Sequence, residues 1–264
     1  MNRTRNTVAD MLALKGKRQI TMLYVDQIEE AAAASAAGID MLSIVSTVWT
    51  PKMREAAGDC FVQVGLIWGE ACTYEDYLRA AHNAINLGGD CVYCAASLDT
   101  ISKLAAEGVP VVSHVGLIPS KRTWTGGFRA VGKTAESALK VYRDVKALEA
   151  AGAFAAEIEV VPARVATEIS KHTSILLLSM GAGAGCDAQY LFAEDVLGYT
   201  RLHQPKHAKV YRNFRAELDR LQQERIAAFR EYIADVNSGA FPQEQHLVPI
   251  SDAEFENFSK GLPS

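Results

Sequence analysis

Short apolar runs alternate with helical patterns along most of this chain, and this alternation restricts the folds that it can adopt. The runs have the length and composition of buried strands, at residues 19–24, 41–45, 61–68, 91–94, 109–114, 154–161 and 175–180, with a weaker eighth candidate at 195–199. Strands that are joined through helices lie parallel, with right-handed crossovers. Seven or eight such units favour a closed barrel over an open sheet.

Helical patterns fill the intervals between these runs, at residues 29–37, 74–87, 98–107, 135–151 and 163–171. A glycine follows several of them, such as Gly38, Gly108 and Gly152, as expected where a helix ends before a strand. The fold class predicted from this pattern is α/β, a (β/α)8 TIM barrel.

The end of the chain has a different pattern. Residues 212–236 carry apolar side chains at helical spacing opposite a charged face, which predicts an amphipathic helix that needs a partner surface on the barrel or on another subunit. Residues 241–264 contain prolines and show no clear period. Because no linker or low-complexity segment divides the chain, residues 1–264 are interpreted as one barrel domain, with the C-terminal helix and tail starting at about residue 211.

Composition and charge argue against several classes of partner. Hydrophobic residues make up 49% of the 264 residues and charged residues 22%, as in ordinary soluble proteins. The net charge of −4 gives no reason to expect nucleic acid or an anionic membrane as partner. The sequence has no run of membrane-spanning length and no signal-peptide pattern, so a cytoplasmic protein is expected. Five cysteines argue against a disulfide framework, and Cys91 and Cys94 are interpreted as small buried hydrophobic residues.

The active sites of such barrels form at the carboxyl ends of the strands. Candidate pocket residues at those ends are Tyr24, Asp26, Ser46, Thr47, Trp68, Glu70, Tyr93, His114, Glu157, Glu159 and Ser179. Alternate residues of a strand share one face, so Glu157 and Glu159 would be two buried carboxylates side by side, which is costly unless they are used. His114 either takes part in acid–base chemistry or only orients its neighbours. The set suggests a small-molecule substrate and lacks the clustered ligands of a convincing metal site.

Two loops are further candidates for function. The glycine-rich residues 181–185 could expose backbone N–H groups to a phosphate or carboxylate, or could form only a tight turn between strand and helix. Residues 121–129 mix basic and aromatic side chains with glycines. This second loop could close over an anionic or aromatic substrate, or could be a solvated loop or a subunit contact.

Seven short motifs follow one another in a fixed order along the chain. They are Ser-His-Val-Gly-Leu-Ile-Pro at 113–119, Gly-Gly-Phe-Arg-Ala-Val-Gly at 126–132, Leu-Glu-Ala-Ala-Gly-Ala at 148–153, Glu-Val-Val-Pro at 159–162, Gly-Ala-Gly at 181–183, Pro-Lys-His-Ala-Lys at 205–209 and Ser-Gly-Ala-Phe-Pro at 238–242. Together they resemble the ketopantoate hydroxymethyltransferase family, which consists of (β/α)8 enzymes of the phosphoenolpyruvate-mutase/isocitrate-lyase superfamily. The resemblance covers most of the chain and implies a large homo-oligomer.

The resemblance also implies a mechanism. The family uses magnesium to hold a 2-oxo acid, a carboxylate base to remove its α-proton, and methylenetetrahydrofolate to supply the one-carbon unit. Carried over to this chain, the base is Glu159, and His114 is the histidine after the fifth strand. The family's metal carboxylates and substrate lysine fall on segments 45–47, 65–67 and 93–95, which contain neither carboxylate nor lysine. Because hydroxyls and glycine do not replace carboxylate oxygens around magnesium, no metal is expected.

The first hypothesis is therefore a metal-independent carbon–carbon lyase or aldolase-type enzyme that releases or transfers a hydroxymethyl group on an aromatic or bulky substrate. Glu159 would be the base and Glu157 its partner or the proton donor, with His114 and Tyr93 as hydrogen-bond donors. Tyr24, Ser46, Thr47, Trp68, Trp124 and Ser179 would bind the substrate, with Trp49 near the same rim. No cofactor is expected, apart from tetrahydrofolate if the enzyme acts as a transferase.

Two alternatives stay open. The protein could be a conventional magnesium-dependent 3-methyl-2-oxobutanoate hydroxymethyltransferase whose metal is held by other residues, such as Asp26, Glu70 and Glu157. It could also be a catalytically inactive homologue that binds a ligand or partner.

Overall fold

Eight parallel strands form a closed barrel in which neighbours in sequence are neighbours in space. The computed structural model describes residues 5–200 and 204–263. The strands are β1 (Ile20–Tyr24), β2 (Met41–Val45), β3 (Phe61–Gly65), β4 (Cys91–Tyr93), β5 (Val111–Gly116), β6 (Ala155–Glu159), β7 (Leu176–Met180) and β8 (Ala188–Phe192). β8 pairs with β1 over five residues and closes the barrel. The predicted (β/α)8 TIM barrel is confirmed.

The eighth strand is not where the sequence pattern placed it. Residues 195–199 lie in and just after a short helix, and β8 comes before that helix. The segment from Gly181 to Asp187 that joins β7 to β8 contains no helix, so the strand–helix alternation that marks the other units is interrupted there.

Helices connect most of the other strands and complete the barrel. They are α1 (Val8–Leu12), α2 (Ile28–Ala37), α3 (Pro51–Ala56), α4 (Tyr74–Asn86), α5 (Leu98–Ala106), α6 (Ala135–Ala150), α7 (Ala163–Lys171) and α8 (Ala193–Leu197), with a 3-10 helix at Pro119–Thr125 between β5 and α6. Thr73 and Thr134 begin α4 and α6 because their hydroxyls accept hydrogen bonds from first-turn N–H groups that have no partner within the helix. Gly38 ends α2 in the left-handed conformation.

Side chains alternate between two cores along each strand. Residues such as Leu42, Ile44 and Val62 face the helices and belong to the outer core. Residues such as Met41 and Phe61 face the barrel axis and belong to the inner core. Cys94 lies in the outer core and Cys91 in the inner one, both buried, as their interpretation as small hydrophobic residues predicted. Near the amino ends of the strands the inner core is apolar, with Ile20, Met41 and Phe61. The buried polar side chains of the barrel lie farther along the strands, toward their carboxyl ends.

The chain divides into two compact units, Met1–Arg212 and Asn213–Ser264. The second unit contains α9 (Phe214–Ser238), a 3-10 helix at Glu244–His246 and α10 (Asp252–Lys260). The amphipathic helix predicted at 212–236 is present with a shift of two residues at each end. The sequence pattern missed α10, whose N-terminus is capped by Ser251. The division lies beside residue 211, and the single-domain interpretation stays a prediction. No helix among the described residues is long and apolar enough to cross a membrane.

Candidate functional site

Three ionisable side chains meet inside the carboxyl-end half of the barrel. The parallel register of β5 and β6 places His114 beside Glu157 and Gly116 beside Glu159, so the histidine lies between two carboxylates of the next strand. The Nδ1 atom of His114 is 3.3 Å from Oε2 of Glu157, and its Nε2 atom is 3.3 Å from Oε2 of Glu159. The side chains of His114, Glu157 and Glu159 are only 2%, 6% and 10% exposed.

The two carboxylates determine the charge of the histidine. Burial lowers the pKa of His114, but the close contacts and negative charges of Glu157 and Glu159 outweigh burial and raise it to about 9. His114 is therefore an imidazolium ion at neutral pH, and the three groups together carry one net negative charge when both carboxylates are ionised. An imidazolium can donate hydrogen bonds and stabilise negative charge, but it cannot act as a base.

Tyr93 is the fourth member of this cluster. Its hydroxyl oxygen is 2.9 Å from Nδ1 of His114. Burial, followed by the charges of Glu157 and Glu159, raises the pKa of Tyr93 well above its usual value, so the phenol stays neutral. Because Nδ1 of an imidazolium carries a proton, the phenol oxygen accepts from it and its own O–H remains available as a donor.

Gln63, which no sequence motif singled out, holds the other oxygen of Glu157. The Gln63 side chain is fully buried, and its Nε2 donates to Oε1 of Glu157 at 2.8 Å and to Oγ of Ser43 at 3.1 Å. Both oxygens of Glu157 are thus engaged, one by Gln63 and one by His114. The signal that could have revealed Gln63 is a single amide side chain on the inward face of an otherwise apolar strand.

Three buried polar atoms of this cluster lack a hydrogen-bond partner. They are Oε1 of Gln63, Nε2 of His114 and Oε2 of Glu159. The last two lie 3.3 Å apart as an ion pair, without a well-directed hydrogen bond between them. Buried groups of this kind are rare unless a ligand or reacting group uses them. Oε2 of Glu159 is therefore paired with the imidazolium but not held by a directed hydrogen bond, and it can still accept a proton or a hydrogen bond from a bound molecule.

The backbone around Glu159 is held in an unusual conformation. Val160 has φ of 49°, in the left-handed region that β-branched residues avoid. Its N–H donates to the carbonyl oxygen of Met180 at 2.8 Å, and its own carbonyl accepts from the N–H of Val131 at 3.1 Å. Gly116, with φ of 84°, lies so close that a Cβ there would be 2.5 Å from the carbonyl oxygen of Glu159.

The other predicted site residues are more dispersed. Tyr24 is half-buried and packs on Phe192 inside the barrel, with ring centroids 4.9 Å apart. Ser46 and Thr47 follow β2, where Ser46 is half-buried and Thr47 is exposed. Trp68 is 62% exposed after β3. The role of these residues in binding stays a prediction.

Two of the expected residues point away from the site. Ser179 lies between Leu178 and Met180, which face the axis, and its hydroxyl accepts the N–H of Ala182 in the glycine-rich loop. It therefore supports that loop from outside the barrel axis and does not face the axis. The suggestion that Trp49 lies at the rim is wrong, because Trp49 is buried in the outer core and its indole N–H donates to the carbonyl of Ala84.

The loop at residues 121–129 borders a cavity of about 540 Å³ between β5, the 3-10 helix at Pro119–Thr125 and α6. Its lining includes Lys121, Trp124 and His114. Trp124 is 90% exposed, so its ring does not pack against the described part of the protein. The loop therefore borders the same cavity as His114, and a role of Trp124 in binding substrate stays a prediction.

The donor atoms of the site do not suit the magnesium ion that the resemblance implies. Magnesium prefers an octahedron of oxygen atoms, usually including carboxylates. Here both inward carboxylates contact an imidazolium ion, and the segments after β2, β3 and β4 provide Ser46, Leu66 and Ala95. Asp26 and Glu70 do not join Glu157 in a group of three, and residues 5–200 and 204–263 contain no set of three His, Cys, Asp or Glu suited to a metal.

The fold and the site together define a (β/α)8-barrel protein with an acid–base cluster at the carboxyl ends of its strands. The model of the family described as ketopantoate hydroxymethyltransferase matches residues 50–244. The chain belongs to this family, which confirms the resemblance seen in the sequence motifs.

Several relatives carry the same name, 3-methyl-2-oxobutanoate hydroxymethyltransferase. The relative from Bacillus licheniformis is 34% identical, over 97% of this chain and 99% of its own length. The relative from Pyrobaculum calidifontis is 32% identical, over 94% of this chain and all of its own length, 100%. The one from Halalkalibacterium halodurans is 41% identical over 155 residues, and there the chain spans only 53% of the relative's length.

One solved structure shows the fold independently of close sequence similarity. It is phosphoenolpyruvate phosphomutase from Streptomyces platensis subsp. rosaceus, with a TM-score of 0.51 over 97% of this chain and 98% of that one. The two chains are 13% identical, so this likeness concerns the barrel fold alone.

Proposed function

We propose that the protein is a hydroxymethyltransferase that forms or breaks a carbon–carbon bond between a hydroxymethyl carbon and a carbon next to a carbonyl group. The observation that carries this proposal is Glu159, a buried carboxylate whose Oε2 is paired with the imidazolium of His114 at 3.3 Å but makes no directed hydrogen bond. The names of the full-length relatives support the same class of reaction. Their named substrate, 3-methyl-2-oxobutanoate, is the reference compound for any test.

In the direction of transfer, Glu159 takes the proton from the carbon next to the substrate carbonyl and becomes a carboxylic acid. The electron pair left on that carbon delocalises onto the carbonyl oxygen, which the neutral phenol of Tyr93 can stabilise by donating its O–H. The carbon then attacks the carbonyl carbon of formaldehyde, so that a carbon–carbon bond forms as the π bond of formaldehyde breaks. The alkoxide that results takes its proton from the carboxylic acid of Glu159, which returns the base to its starting form. In the reverse direction Glu159 removes the hydroxyl proton, the bond breaks, and formaldehyde leaves.

Glu157 and His114 act through their fixed charges. Glu157 is held by Gln63 and His114, so it keeps the imidazolium charged and in place. The imidazolium lies 3.3 Å from Oε2 of Glu159 and offsets negative charge beside it. No step in this scheme passes through a metal ion, in keeping with the donor atoms present. Tetrahydrofolate is required only if it carries the one-carbon unit, and a homo-oligomer remains part of the proposal.

The test uses proton exchange, which needs no knowledge of the one-carbon donor. The protein is incubated in D2O with carbonyl compounds that include 3-methyl-2-oxobutanoate and the uncharged ketone 3-methylbutan-2-one. Deuterium uptake at the carbon next to the carbonyl is followed by NMR. We expect Glu159→Gln to lose about 100-fold or more of this exchange, because a general base contributes about 10²–10⁴-fold. Glu168→Gln is the matched control, since Glu168 lies on the surface and pairs with Lys171.

Full exchange by Glu159→Gln, or no exchange with any compound in the set, would refute the proposal. If the Glu168→Gln variant also lost deuterium exchange, the loss of exchange in Glu159→Gln could not be assigned to the missing base. Purified protein treated with a chelator provides a second measurement, because the scheme predicts exchange that is unchanged without divalent metal.

A second candidate is the release of formaldehyde from a hydroxymethyl group on an aromatic or bulky compound. The aromatic side chains inside the barrel favour it, because Tyr24, Tyr93, Tyr190 and Phe192 belong to or pack against the inner core. A formaldehyde assay with hydroxymethyl-bearing aromatic compounds tests this candidate. Turnover of 3-methyl-2-oxobutanoate that depends strictly on magnesium would contradict it and would support the conventional alternative.

A further inference from the structure

Residues 204–212, called the mouth segment below, lie against the carboxyl-end face of the barrel. The N–H of Tyr211 donates to the carbonyl oxygen of Val196 in α8 at 2.9 Å. Farther back in the segment, the ring of His207 packs directly on Gly181, because a Cβ built on that glycine would be 2.9 Å from Cγ and Nδ1 of the ring. Gly181 follows β7 and α8 follows β8, so both contacts lie where the active site of a barrel forms.

The contact with Gly181 places His207 beside the strand end that carries Glu159. Gly181 comes directly after Met180, which is the register partner of Glu159 across β6 and β7. The Met180 side chain belongs to the inner core, so this part of β7 borders the barrel axis. Neighbouring strands are about 4.8 Å apart, so the His207 ring lies within about 10 Å of the Glu159 backbone.

The ring of His207 is exposed and available to a ligand. Within residues 5–200 and 204–263 it takes part in no hydrogen bond or ion pair. Lys206 and Lys209 flank it in the same exposed segment and add positive charge. An imidazole N–H donates a strong hydrogen bond to a carboxylate, and nearby ammonium groups favour an anion at the same place. The mouth segment thus offers a hydrogen-bond donor within a positive field on the β7 side of the mouth.

Other parts of the barrel mouth and interior suit an anion less well. The eight strands, all of them within the described residues, contain no lysine or arginine, and the two inward carboxylates already share one imidazolium. On the β1 side of the mouth, burial raises the pKa of Glu30, and the charges of Asp26 and Glu194 raise it further. That side therefore carries clustered negative charge. An anionic group keeps the most favourable surroundings near the mouth segment.

We infer that His207 is a substrate-binding residue that determines specificity: its imidazole donates a hydrogen bond to the carboxylate of an anionic carbonyl substrate, whose acidic carbon points down toward Glu159. The inference rests on the proposed function and specifies how its substrate is oriented. The dimensions agree, because a hydrogen bond of about 3 Å at each end and about 4 Å of 2-oxo acid between them together span about 10 Å.

The test compares a charged substrate with an uncharged one of nearly the same shape. Deuterium uptake at the isopropyl carbon is measured by NMR over a range of concentrations for 3-methyl-2-oxobutanoate and for 3-methyl-2-oxobutanamide. We expect His207→Ala to lower kcat/KM for the oxo acid at least about 10-fold, mainly through KM, because a hydrogen bond to a charged group is lost. Exchange of the amide should change by less than about 3-fold. His82→Ala, on the exposed face of α4, is the matched control and should change neither.

Three results would overturn the inference. Equal losses for oxo acid and amide in His207→Ala would indicate a structural role of the ring, and unchanged exchange of both would indicate no role. A selective loss for the oxo acid in Lys121→Ala, with His207→Ala unaffected, would assign the carboxylate to the cavity that Lys121 and His114 line. All three leave the proposed function intact. If the wild-type protein shows no exchange that depends on Glu159, the proposed function fails and the inference fails with it.

Gly181→Ala gives an independent check of the geometry. Its Cβ would lie 2.9 Å from the His207 ring, so the ring must move away from the strand end. We expect this variant to lower the ratio of oxo acid to amide exchange in the wild-type background and to leave it unchanged in the His207→Ala background, because the two changes act through one ring. Additive effects on the ratio would count against the inference. If Gly181→Ala does not fold, the His207→Ala ratio decides alone.

Discussion

The pairing of His114 with two carboxylates makes a quantitative prediction about stability and pH. The pKa of His114 rises from the ordinary 6.5 to about 9 in the folded chain. One pKa unit corresponds to about 1.4 kcal/mol, so the protonated form stabilises the folded state by about 3 kcal/mol. Because the folded-state pKa is raised, this stabilisation is complete below pH 6.5 and is lost as pH rises through about 9.

The perturbation is a change of pH from 6.5, the pKa of His114 in the unfolded chain, to about 8. The upper limit is chosen because cysteine thiols begin to ionise above it. Over this interval the free energy of unfolding should fall by about 2 kcal/mol. Urea unfolding at several pH values measures the slope, and the NMR titration of the His114 ring proton gives its pKa directly. His114→Gln should remove the slope.

His172→Gln is the matched control, because His172 also pairs with a glutamate, Glu168, but both side chains are about 60% exposed (59% and 61%). Its unfolding should keep the wild-type dependence on pH. The reasoning is refuted if the His114 resonance titrates near 6.5, or if the free energy of unfolding is flat across the interval.

Three further predictions concern the support of the same cluster. Gly116→Ala should lower the melting temperature and the free energy of unfolding by about 1–3 kcal/mol, since its φ is 84° and its Cβ would lie 2.5 Å from the carbonyl oxygen of Glu159; an unchanged melting temperature would contradict the geometry. Gln63→Leu should cost about 1–3 kcal/mol in urea unfolding, because it leaves a buried oxygen of Glu157 without its donor; a neutral effect would show that water replaces the amide. Tyr93→Phe should slow deuterium exchange about 10²-fold while the melting temperature stays within a degree or two, and exchange at the wild-type rate would remove Tyr93 from the mechanism.

Much of the barrel could be predicted from the sequence because each strand–helix unit carries its own signal. β2, for example, lies where its apolar run predicted it, and the glycine after α2 marks the helix end. The exception is β8, where the exposed Gln189 interrupts a short apolar run and no helix separates β8 from β7. A local pattern cannot show that such a strand exists to pair with β1 and close the barrel.

The site was predictable in part for a similar reason. Glu157 and Glu159 could be paired from the alternation within one strand, and His114 and Tyr93 could be placed at strand ends. The contact of His114 with both carboxylates depends on the register between β5 and β6, which local sequence does not specify. Gln63 was missed because a lone amide in a short strand looks like an ordinary surface position. Trp49 was misplaced because a large apolar side chain after a strand can turn outward into the helical layer.

The left-handed conformation of Val160 has a mechanical consequence for Glu159. A β-branched residue there costs about 1–3 kcal/mol relative to ordinary backbone. Strand β6 cannot hold this conformation by itself, so the restraint comes from two hydrogen bonds of Val160: its N–H donates to the carbonyl of Met180, and its carbonyl accepts from the N–H of Val131. The segment that contains Val131 also leads back to the exposed loop with Trp124. The position of Glu159 thus depends on these two hydrogen bonds. Loss of either one would let Val160 return to an ordinary backbone conformation and would shift Glu159 at the end of β6.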